Sequence, residues 1–240
     1  MSVLLEAHDI SISFGGIRAV QNLSFQIQRG EVLGLIGPNG AGKSTCINLI
    51  TGVYMPDTGY ITFDGTRMTE KHTIRERVHL GMGRTFQTPR PFGNMTVYDN
   101  VFTIALQQNS FAEAHAKTKE ILEITDLAGN ANMISAKLPI EMRKWLDLAR
   151  ILANNPKFIM MDEVMAGLNP NEMESSFQLI ERLNQAGITI LFIEHVMHAV
   201  VRVCSKVLVI NEGKFLAEGE PREVLNRPEV VEAYIGGKRK

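Results

Sequence analysis

A glycine-rich segment near the N-terminus constrains this chain more than any other part of its sequence. It reads Gly37-Pro38-Asn39-Gly40-Ala41-Gly42-Lys43-Ser44-Thr45 and directly follows the apolar run Val32–Ile36. The glycines let backbone N–H groups turn inward around phosphates, Lys43 places a point charge on the β- and γ-phosphates, and Ser44 offers a hydroxyl to Mg²⁺. Because apolar residues at helical spacing follow the segment, we predict a nucleoside triphosphate site between a buried strand and a helix.

The composition is typical of a globular protein and excludes several other classes. The chain has 240 residues, 45% of them apolar, and a formal net charge of −1. That is enough apolar material for a sizeable core, and the charge predicts no broad attraction to nucleic acid or anionic lipid. The apolar stretch 188–193 is too short to span a bilayer, and the N-terminus shows no signal segment. Cys46 and Cys204 give neither a disulfide framework nor zinc spacing, which favours a reducing cytoplasm.

Two kinds of strand pattern define the expected fold. Continuous apolar runs at 32–36, 158–161, 188–193 and 207–210, with helical patterns such as 171–185 between them, predict parallel strands buried on both faces. Alternating apolar and polar residues at 10–14, 23–27 and 60–63, bounded by glycines, predict antiparallel strands. Between about 96 and 155 the periodicity is helical.

The predicted fold class is therefore α/β, with a phosphate-loop nucleotide-hydrolase core, an N-terminal antiparallel β subdomain and an inserted helical subdomain. We expect a single domain over residues 1–240. The core and the β subdomain would occupy about 1–87 and 156–240, and the helical subdomain about 88–155.

A pair of carboxylates ends the apolar run 158–161. Asp162 and Glu163 follow it directly, at the carboxyl end of a buried strand, where ligands bind in open α/β sheets. Asp162 is the expected partner of Mg²⁺, through water or Ser44, and Glu163 is the expected general base for the attacking water. The alternative interpretation is that two acidic residues simply end a strand and face solvent.

With these segments and several others, the chain resembles the ATPase subunit of an ATP-binding-cassette transporter over nearly its whole length. The resemblance implies that Gln87, in Gly83-Arg84-Thr85-Phe86-Gln87, is a sensor that reaches Mg²⁺ or the water. It implies that His195 is a switch that donates to the γ-phosphate, that Phe14 stacks on adenine, and that loop 166–170 meets a partner subunit.

Other interpretations of these residues stay open at this point. His195 could be a structural histidine, or it could form a metal site with His198 beside Glu194, although no third ligand is near in the sequence. Phe14 could be an ordinary core residue at the end of a strand.

The chain is most similar to the ATPase subunits of branched-chain amino acid importers, in segments 14–20, 84–87, 166–170 and 232–236. Importers of urea, short amides and other small polar solutes share these segments. The resemblance implies ATP and Mg²⁺ as cofactors, with permease subunits and a second cassette ATPase as partners, and no nucleic acid. It places the chain at the cytoplasmic face of the inner membrane. The segment with Pro91, Phe92, Met95 and Tyr98 would receive a short helix of the permease, unless it is a locally packed loop.

One family motif is altered. Where the family has Leu-Ser-Gly-Gly-Gln, this chain has Leu138-Pro139-Ile140-Glu141-Met142, an alignment anchored by residues 143–150. Pro139 lacks both the hydroxyl and a backbone N–H, and Glu141 brings a like charge toward a phosphate, a repulsion of ~4 kcal/mol at ~4 Å and a dielectric constant near ~20. The alternative is that Glu141 points to solvent and the helix N-terminus still serves the phosphate. A smaller change is Val164-Met165, where Pro-Thr or a similar pair is usual.

Three functions follow from these patterns. The favoured one is the motor ATPase of a small-solute importer, which works as a dimer in which each phosphate loop closes against the other subunit's signature. We favour a pair of unlike cassettes, because an intact catalytic set on a chain with an altered signature is useful only if another subunit completes it. The second is a mainly regulatory or structural cassette. The third, a cassette in DNA repair or translation, would favour two cassettes or a long coiled coil, and the sequence shows neither.

Overall fold

The computed structural model describes residues 2–86 and 88–236, so that Gln87 lies outside the described residues. Within them the chain forms ten β-strands, nine α-helices and two short 3₁₀ turns, Ala128–Asn130 and Ser135–Lys137. The strands are β1 (Val3–Phe14), β2 (Ile17–Gln28), β3 (Val32–Ile36), β4 (Thr58–Phe63), β5 (Thr66–Arg67), β6 (Met82–Arg84), β7 (Phe158–Asp162), β8 (Thr189–Ile193), β9 (Lys206–Asn211) and β10 (Lys214–Gly219). The helices are α1 (Lys43–Thr51), α2 (Ile74–His79), α3 (Val97–Ala105), α4 (Phe111–Ile124), α5 (Ile140–Leu152), α6 (Pro170–Gln185), α7 (Met197–Val203), α8 (Pro221–Leu225) and α9 (Pro228–Gly236).

The core is a six-stranded sheet in the order β10-β9-β3-β8-β7-β6. Neighbouring strands run parallel except β10, which is antiparallel to β9. Every residue of β3 and β8 is buried, which accounts for their almost entirely apolar sequence, and the parallel pairing confirms the prediction. Asp162 pairs in register with Ile193, so the carboxyl ends of β7 and β8 lie side by side next to the end of β3. This edge of the sheet is where a ligand site is expected.

A second, antiparallel sheet has the order β2-β1-β4-β5. Its inner face, with Leu5 and Ile27, packs in one apolar cluster with Leu33 of β3 and Ile47 of α1, so the two sheets share one core. The predicted strands at 10–14, 23–27 and 60–63 lie within β1, β2 and β4, but β1 and β2 are each 12 residues long. The register of β1 and β2 breaks next to Asp9, which has a φ of 45°. The alternation of apolar and polar residues that reveals a strand does not continue through this irregularity, so the predicted strands are too short.

Helices α3, α4 and α5 pack on one another around buried apolar residues such as Val101, Leu122 and Leu146, in the same apolar cluster as Ile159 and Ile190 of the core sheet. Leu127 belongs to the same core but lies beyond the end of α4, because Asp126 turns the chain with a φ of 55°. Chain connectivity runs from β6 into these helices and returns through α5 to β7. The subdomain boundaries drawn from the sequence stay a prediction. None of the described helices is long and apolar enough to cross a membrane.

Candidate nucleotide site

The glycine-rich segment forms a tight loop between β3 and α1. Gly37 has a φ of 154°, and a Cβ there would lie 2.1 Å from the carbonyl oxygen of Ile210. Gly42, which precedes α1, has a φ of 101°, and its Cβ would lie 2.5 Å from the carbonyl oxygen of Ala19. The loop is therefore pressed against β2 and β9 so closely that only glycine fits at these two positions.

Lys43 is the first residue of α1, and its side chain folds back over the loop. The ammonium group donates hydrogen bonds to the carbonyl oxygens of Gly37, at 2.7 Å, and Pro38, at 3.0 Å. Burial lowers the pKa of Lys43, while the nearby carboxylates of Glu163 and Asp162 act in the opposite direction. A positive charge is thus held at the centre of the loop, where it can meet the phosphates of a nucleotide.

A cleft of about 500 Å³ opens in front of this loop. It is lined by the loop and the first turn of α1, by Ile17, Arg18 and Ala19 of β2, and by Glu163 and His195. Phe14 lies at the end of β1 with 41% of its surface exposed, and its ring meets Tyr54 edge-on at 5.0 Å between centroids. Its contact with adenine stays a prediction.

Asp162 is fixed at the end of β7 by an arginine from the neighbouring strand. Its Oδ2 accepts a hydrogen bond from Nη2 of Arg84 at 3.2 Å, and its N–H donates to Oγ1 of Thr85 at 3.1 Å. Nη1 of Arg84 donates to Oδ1 of Asn48 on α1 at 2.8 Å. Burial raises the pKa of Asp162, and Arg84 opposes that effect. Arg84 therefore ties the acidic strand end to the helix that carries Lys43 and Ser44.

The donor set of the site fits a magnesium ion. Ser44 and Asp162 line the same cavity between the core and the helical layer. A hydroxyl and a carboxylate are hard oxygen ligands of the kind that Mg²⁺ takes alongside substrate phosphates and water. Both are residues for which the sequence predicted this role.

Glu163 and His195 form a close pair at the carboxyl ends of β7 and β8. Oε1 of Glu163 lies 2.7 Å from Nε2 of His195, and the N–H of Glu163 donates to the carbonyl of Ile193 at 2.9 Å. Glu163 has a φ of 51°, the left-handed conformation, which turns the chain sharply after the strand. Both side chains also line the cleft with Lys43, so the predicted base and switch face the predicted phosphate site.

His198 has a different surrounding from His195. Its ring meets that of Phe177 edge-on, with the centroids 6.1 Å apart. Across residues 2–86 and 88–236, no group of three or more His, Cys, Asp or Glu side chains is arranged to hold a metal ion.

Comparisons with known proteins decide the family. The family model described as ABC transporter matches residues 20–166. The chain belongs to the ABC transporter family. It is 36% identical to the high-affinity branched-chain amino acid transport ATP-binding protein LivG of Salmonella typhimurium, over 97% of this chain and 98% of LivG. It is 33% identical to BraF of Pseudomonas aeruginosa, which carries the same description, again over 97% and 98% of the two chains. The crystal structure of the ADP conformation of MJ1267, an ATP-binding cassette of an ABC transporter, superposes with a TM-score of 0.88 at 33% identity, over 98% of this chain and 100% of MJ1267.

The chain is thus an ABC ATPase domain, and the residues predicted to form its altered signature lie at the start of α5. Leu138 is buried and Pro139 is the residue before the helix, with no side-chain cap. Glu141 lies in the first turn, half-buried, and lines a cleft of about 310 Å³ together with Trp145 and Glu172 of α6. Whether these residues meet a nucleotide on a partner cassette stays a prediction.

The segment predicted to contact a permease is held rigidly. Asn100, fully buried on α3, accepts a hydrogen bond from the N–H of Phe92 and donates to the carbonyls of Phe92 and Thr96. The ring of Phe92 remains 46% exposed and lies 4.5 Å from the guanidinium of Arg150. The segment therefore presents an aromatic surface on a fixed backbone.

For three charged residues, Arg84, Lys144 and Glu194, the sequence predicted none of the contacts that they make around the strand ends. Glu194 is only 2% exposed, and its Oε1 accepts a hydrogen bond from the N–H of Met165 at 2.7 Å. Burial raises the pKa of its carboxyl group. The signal in the sequence is a carboxylate directly after the apolar run 190–193 and directly before His195. That position predicts a buried polar contact, because a buried carboxylate needs hydrogen-bond donors.

Proposed function

We propose that this chain is the ATP-hydrolysing subunit of a membrane importer for branched-chain or related small amino acids. The observation that carries the proposal is the Glu163–His195 pair facing the same cleft as Lys43. The solute class is supported by LivG and BraF, whose names give branched-chain amino acid transport and whose similarity extends over nearly the whole chain.

Each residue of the site has a task in this proposal. The loop N–H groups and Lys43 bind the phosphates, and Glu163 accepts a proton from the attacking water. His195 fixes the orientation of Glu163 through the 2.7 Å contact and lies in reach of the cleft. Ser44 and Asp162 would hold Mg²⁺, which would offset the negative charge of the phosphates. The proposed role of Gln87 rests on the family resemblance alone.

The proposed partners are two permease subunits and a second cassette ATPase, at the cytoplasmic face of the inner membrane. An ABC site needs a signature from a second subunit, and this chain's own signature contains Pro139 and Glu141. This favours an unlike second cassette. The exposed ring of Phe92 on its rigid segment supports a permease contact at this place. A purely regulatory role is not favoured, because Lys43, Glu163 and His195 are all in place at the cleft.

Reconstitution tests the proposal directly. The chain is assembled in proteoliposomes with its permease subunits, second cassette and solute-binding protein, and ATP-driven uptake of labelled leucine, urea and a short amide is compared. We expect leucine uptake that stops when Lys43→Ala replaces the wild type. Uptake of urea or the amide in place of leucine would contradict the solute class. Absence of any ATP hydrolysis would contradict the proposal that this chain is an ATPase.

A further inference from the structure

The turn that follows Glu163 is held from two sides by charged side chains. From α5, Nζ of Lys144 donates hydrogen bonds to the carbonyls of Ala166, at 2.6 Å, and Val164, at 3.3 Å. From the end of β8, Oε1 of Glu194 accepts the N–H of Met165 at 2.7 Å. The ammonium of Lys144 thus binds two carbonyls of segment 164–166, and the carboxylate of Glu194 binds the N–H group that lies between them in the chain.

Glu194 lies between two residues that both contact Glu163. The residue before it, Ile193, accepts the N–H of Glu163, and the residue after it, His195, contacts the carboxylate of Glu163. The second oxygen of Glu194 accepts the N–H of His195 at 3.3 Å. One carboxylate therefore links the backbone of the turn to the backbone of His195. A carboxylate has acceptors on both oxygens, whereas an amide such as Gln has only one.

Lys144 contacts the same turn from the side of α5. It is half-buried on α5, one turn after Glu141, so its ammonium is held between the helix and the turn. Glu163 starts the turn in the left-handed conformation, with a φ of 51°. A non-glycine residue stays in that conformation only where its surroundings determine it. Here the surroundings are the contacts from Ile193, Glu194 and Lys144.

We propose that Lys144 and Glu194 are positioning residues that fix the carboxylate of Glu163 for ATP hydrolysis. The inference rests on the proposed function, in which Glu163 is the general base. Neither residue lines the cleft in front of the phosphate loop, and each acts through the backbone of the turn. Displacement of a catalytic group by about 1 Å costs on the order of 10²-fold in rate. Loss of the hydrogen bonds from either Lys144 or Glu194 should therefore slow hydrolysis without weakening the binding of ATP.

The test uses Glu194→Gln and Lys144→Met in the assembled transporter, with ATP as the probe. Matched controls are Glu174→Gln on α6 and Lys119→Met on α4, both exposed. The measurements are kcat and KM for ATP, together with the Kd of a fluorescent ATP analogue for the purified full chain. We expect kcat to fall roughly 10- to 100-fold in both test variants. We expect KM and Kd to stay within twofold of the wild type, and the controls to match it.

Two further variants separate positioning from general loss of structure. Lys144→Arg keeps the hydrogen-bond donors and should recover at least half of the wild-type kcat; failure to exceed Lys144→Met would overturn the role of the hydrogen bonds. Adding Glu194→Gln to Glu163→Gln should cost less than twofold in single-turnover hydrolysis, because the group being positioned is already gone. An equal loss in both backgrounds contradicts the proposal.

The outcomes distinguish this inference from the proposed function itself. A kcat within twofold of the wild type for Glu194→Gln or Lys144→Met, when Glu163→Gln is slow, overturns the inference and leaves the proposed function in place. A normal kcat for Glu163→Gln contradicts the proposed function. If Glu194→Gln does not fold, the Lys144→Met and Lys144→Arg pair decides.

Discussion

Nε2 of His195 lies 2.7 Å from Oε1 of Glu163, across the carboxyl ends of two neighbouring strands. The contact follows from the parallel pairing of β7 with β8, which places Asp162 opposite Ile193 and so brings the next residues of both strands together. Both side chains line the cleft that also contains Lys43. The residues proposed as the base, its orienting partner and the phosphate-binding cation therefore lie together at the carboxyl ends of the strands.

The first prediction concerns the base. Glu163→Gln should keep ATP binding and lose roughly 10²-fold or more in turnover, because the amide cannot accept the proton of the attacking water. Nucleotide titration and single-turnover hydrolysis measure the two effects, with Glu174→Gln as the exposed control. Unchanged turnover would remove Glu163 from the mechanism.

The second prediction concerns the cation of the loop. Lys43→Ala should abolish tight ATP binding, since the phosphates lose the protein charge that the loop carbonyls of Gly37 and Pro38 hold in place. Calorimetric titration of ATP on the purified chain measures this, and exposed Lys119→Ala is the matched control. Tight binding by the Lys43 variant would show that the loop N–H groups suffice.

Much of this site was readable from the sequence because its motifs have local causes. The loop 37–45 needs glycines at fixed places, and the buried parallel strands need continuous apolar runs. These features identified β3, β7, β8 and β9 and the residues at their ends. The long strands β1 and β2 were underestimated, because the irregular register around Asp9 interrupts the alternation that reveals a strand.

The contacts missed by sequence reasoning depend on tertiary packing. Arg84 lies on β6, Lys144 on α5 and Glu194 directly after β8, and they contact partners 78, 22 and 29 residues away in the chain. No local pattern encodes such distances. Short elements such as β5, with two residues, and α8, with five, carry too few positions for a periodicity to appear.

The third prediction concerns stability, and it rests on Arg77. This side chain is 2% exposed and donates hydrogen bonds to the carbonyls of Leu49 and Ile50, at the C-terminal end of α1, and of His72. Arg77→Met should lower the free energy of unfolding by about 2–4 kcal/mol, because the buried carbonyls lose their donors. Urea denaturation measures this.

Arg75→Met is the control for Arg77→Met, since Arg75 lies on the same helix and is exposed. We expect the Arg75 variant to stay within about 0.5 kcal/mol of the wild type. Equal stability of the two variants would mean that solvent replaces the hydrogen bonds of Arg77 without cost.

The fourth prediction concerns the permease. Single cysteines at Phe92, which is exposed, or at Met95, which is half-buried, should cross-link to a permease subunit in the assembled transporter, because hydrogen bonds with Asn100 fix the backbone that presents the ring of Phe92. The two natural thiols give little background: Cys46 and Cys204 are buried, and burial raises the pKa of Cys46 to about 12. A cysteine at exposed Glu174 is the control position. Cross-linking that never captures a permease would contradict this docking site.

The fifth prediction concerns the pairing of the two cassettes. If the chain pairs with itself, both sites contain Pro139 and Glu141, and hydrolysis should be slow. If it pairs with an unlike cassette that has an ordinary signature, its own phosphate loop meets good donors, while the partner's loop meets Glu141. Glu163→Gln should then remove most of the activity, and the equivalent change in the partner much less.

The position of Glu141 on α5 bears on this prediction and suggests a second measurement. Glu141 lines a cleft of about 310 Å³ that Glu172 of α6 also lines, in the first turn of α5. If its carboxylate points into that cleft and away from the phosphate in the dimer, the repulsion falls below the ~4 kcal/mol expected at ~4 Å, and the helix dipole favours the anion. Steady-state hydrolysis by the chain alone and by the unlike pair, each with Glu141→Gly as a comparison, separates the two cases. Asymmetric pairing predicts slow hydrolysis alone that Glu141→Gly accelerates. Fast hydrolysis by the chain alone, or equal losses from the two glutamate variants in the pair, would contradict it.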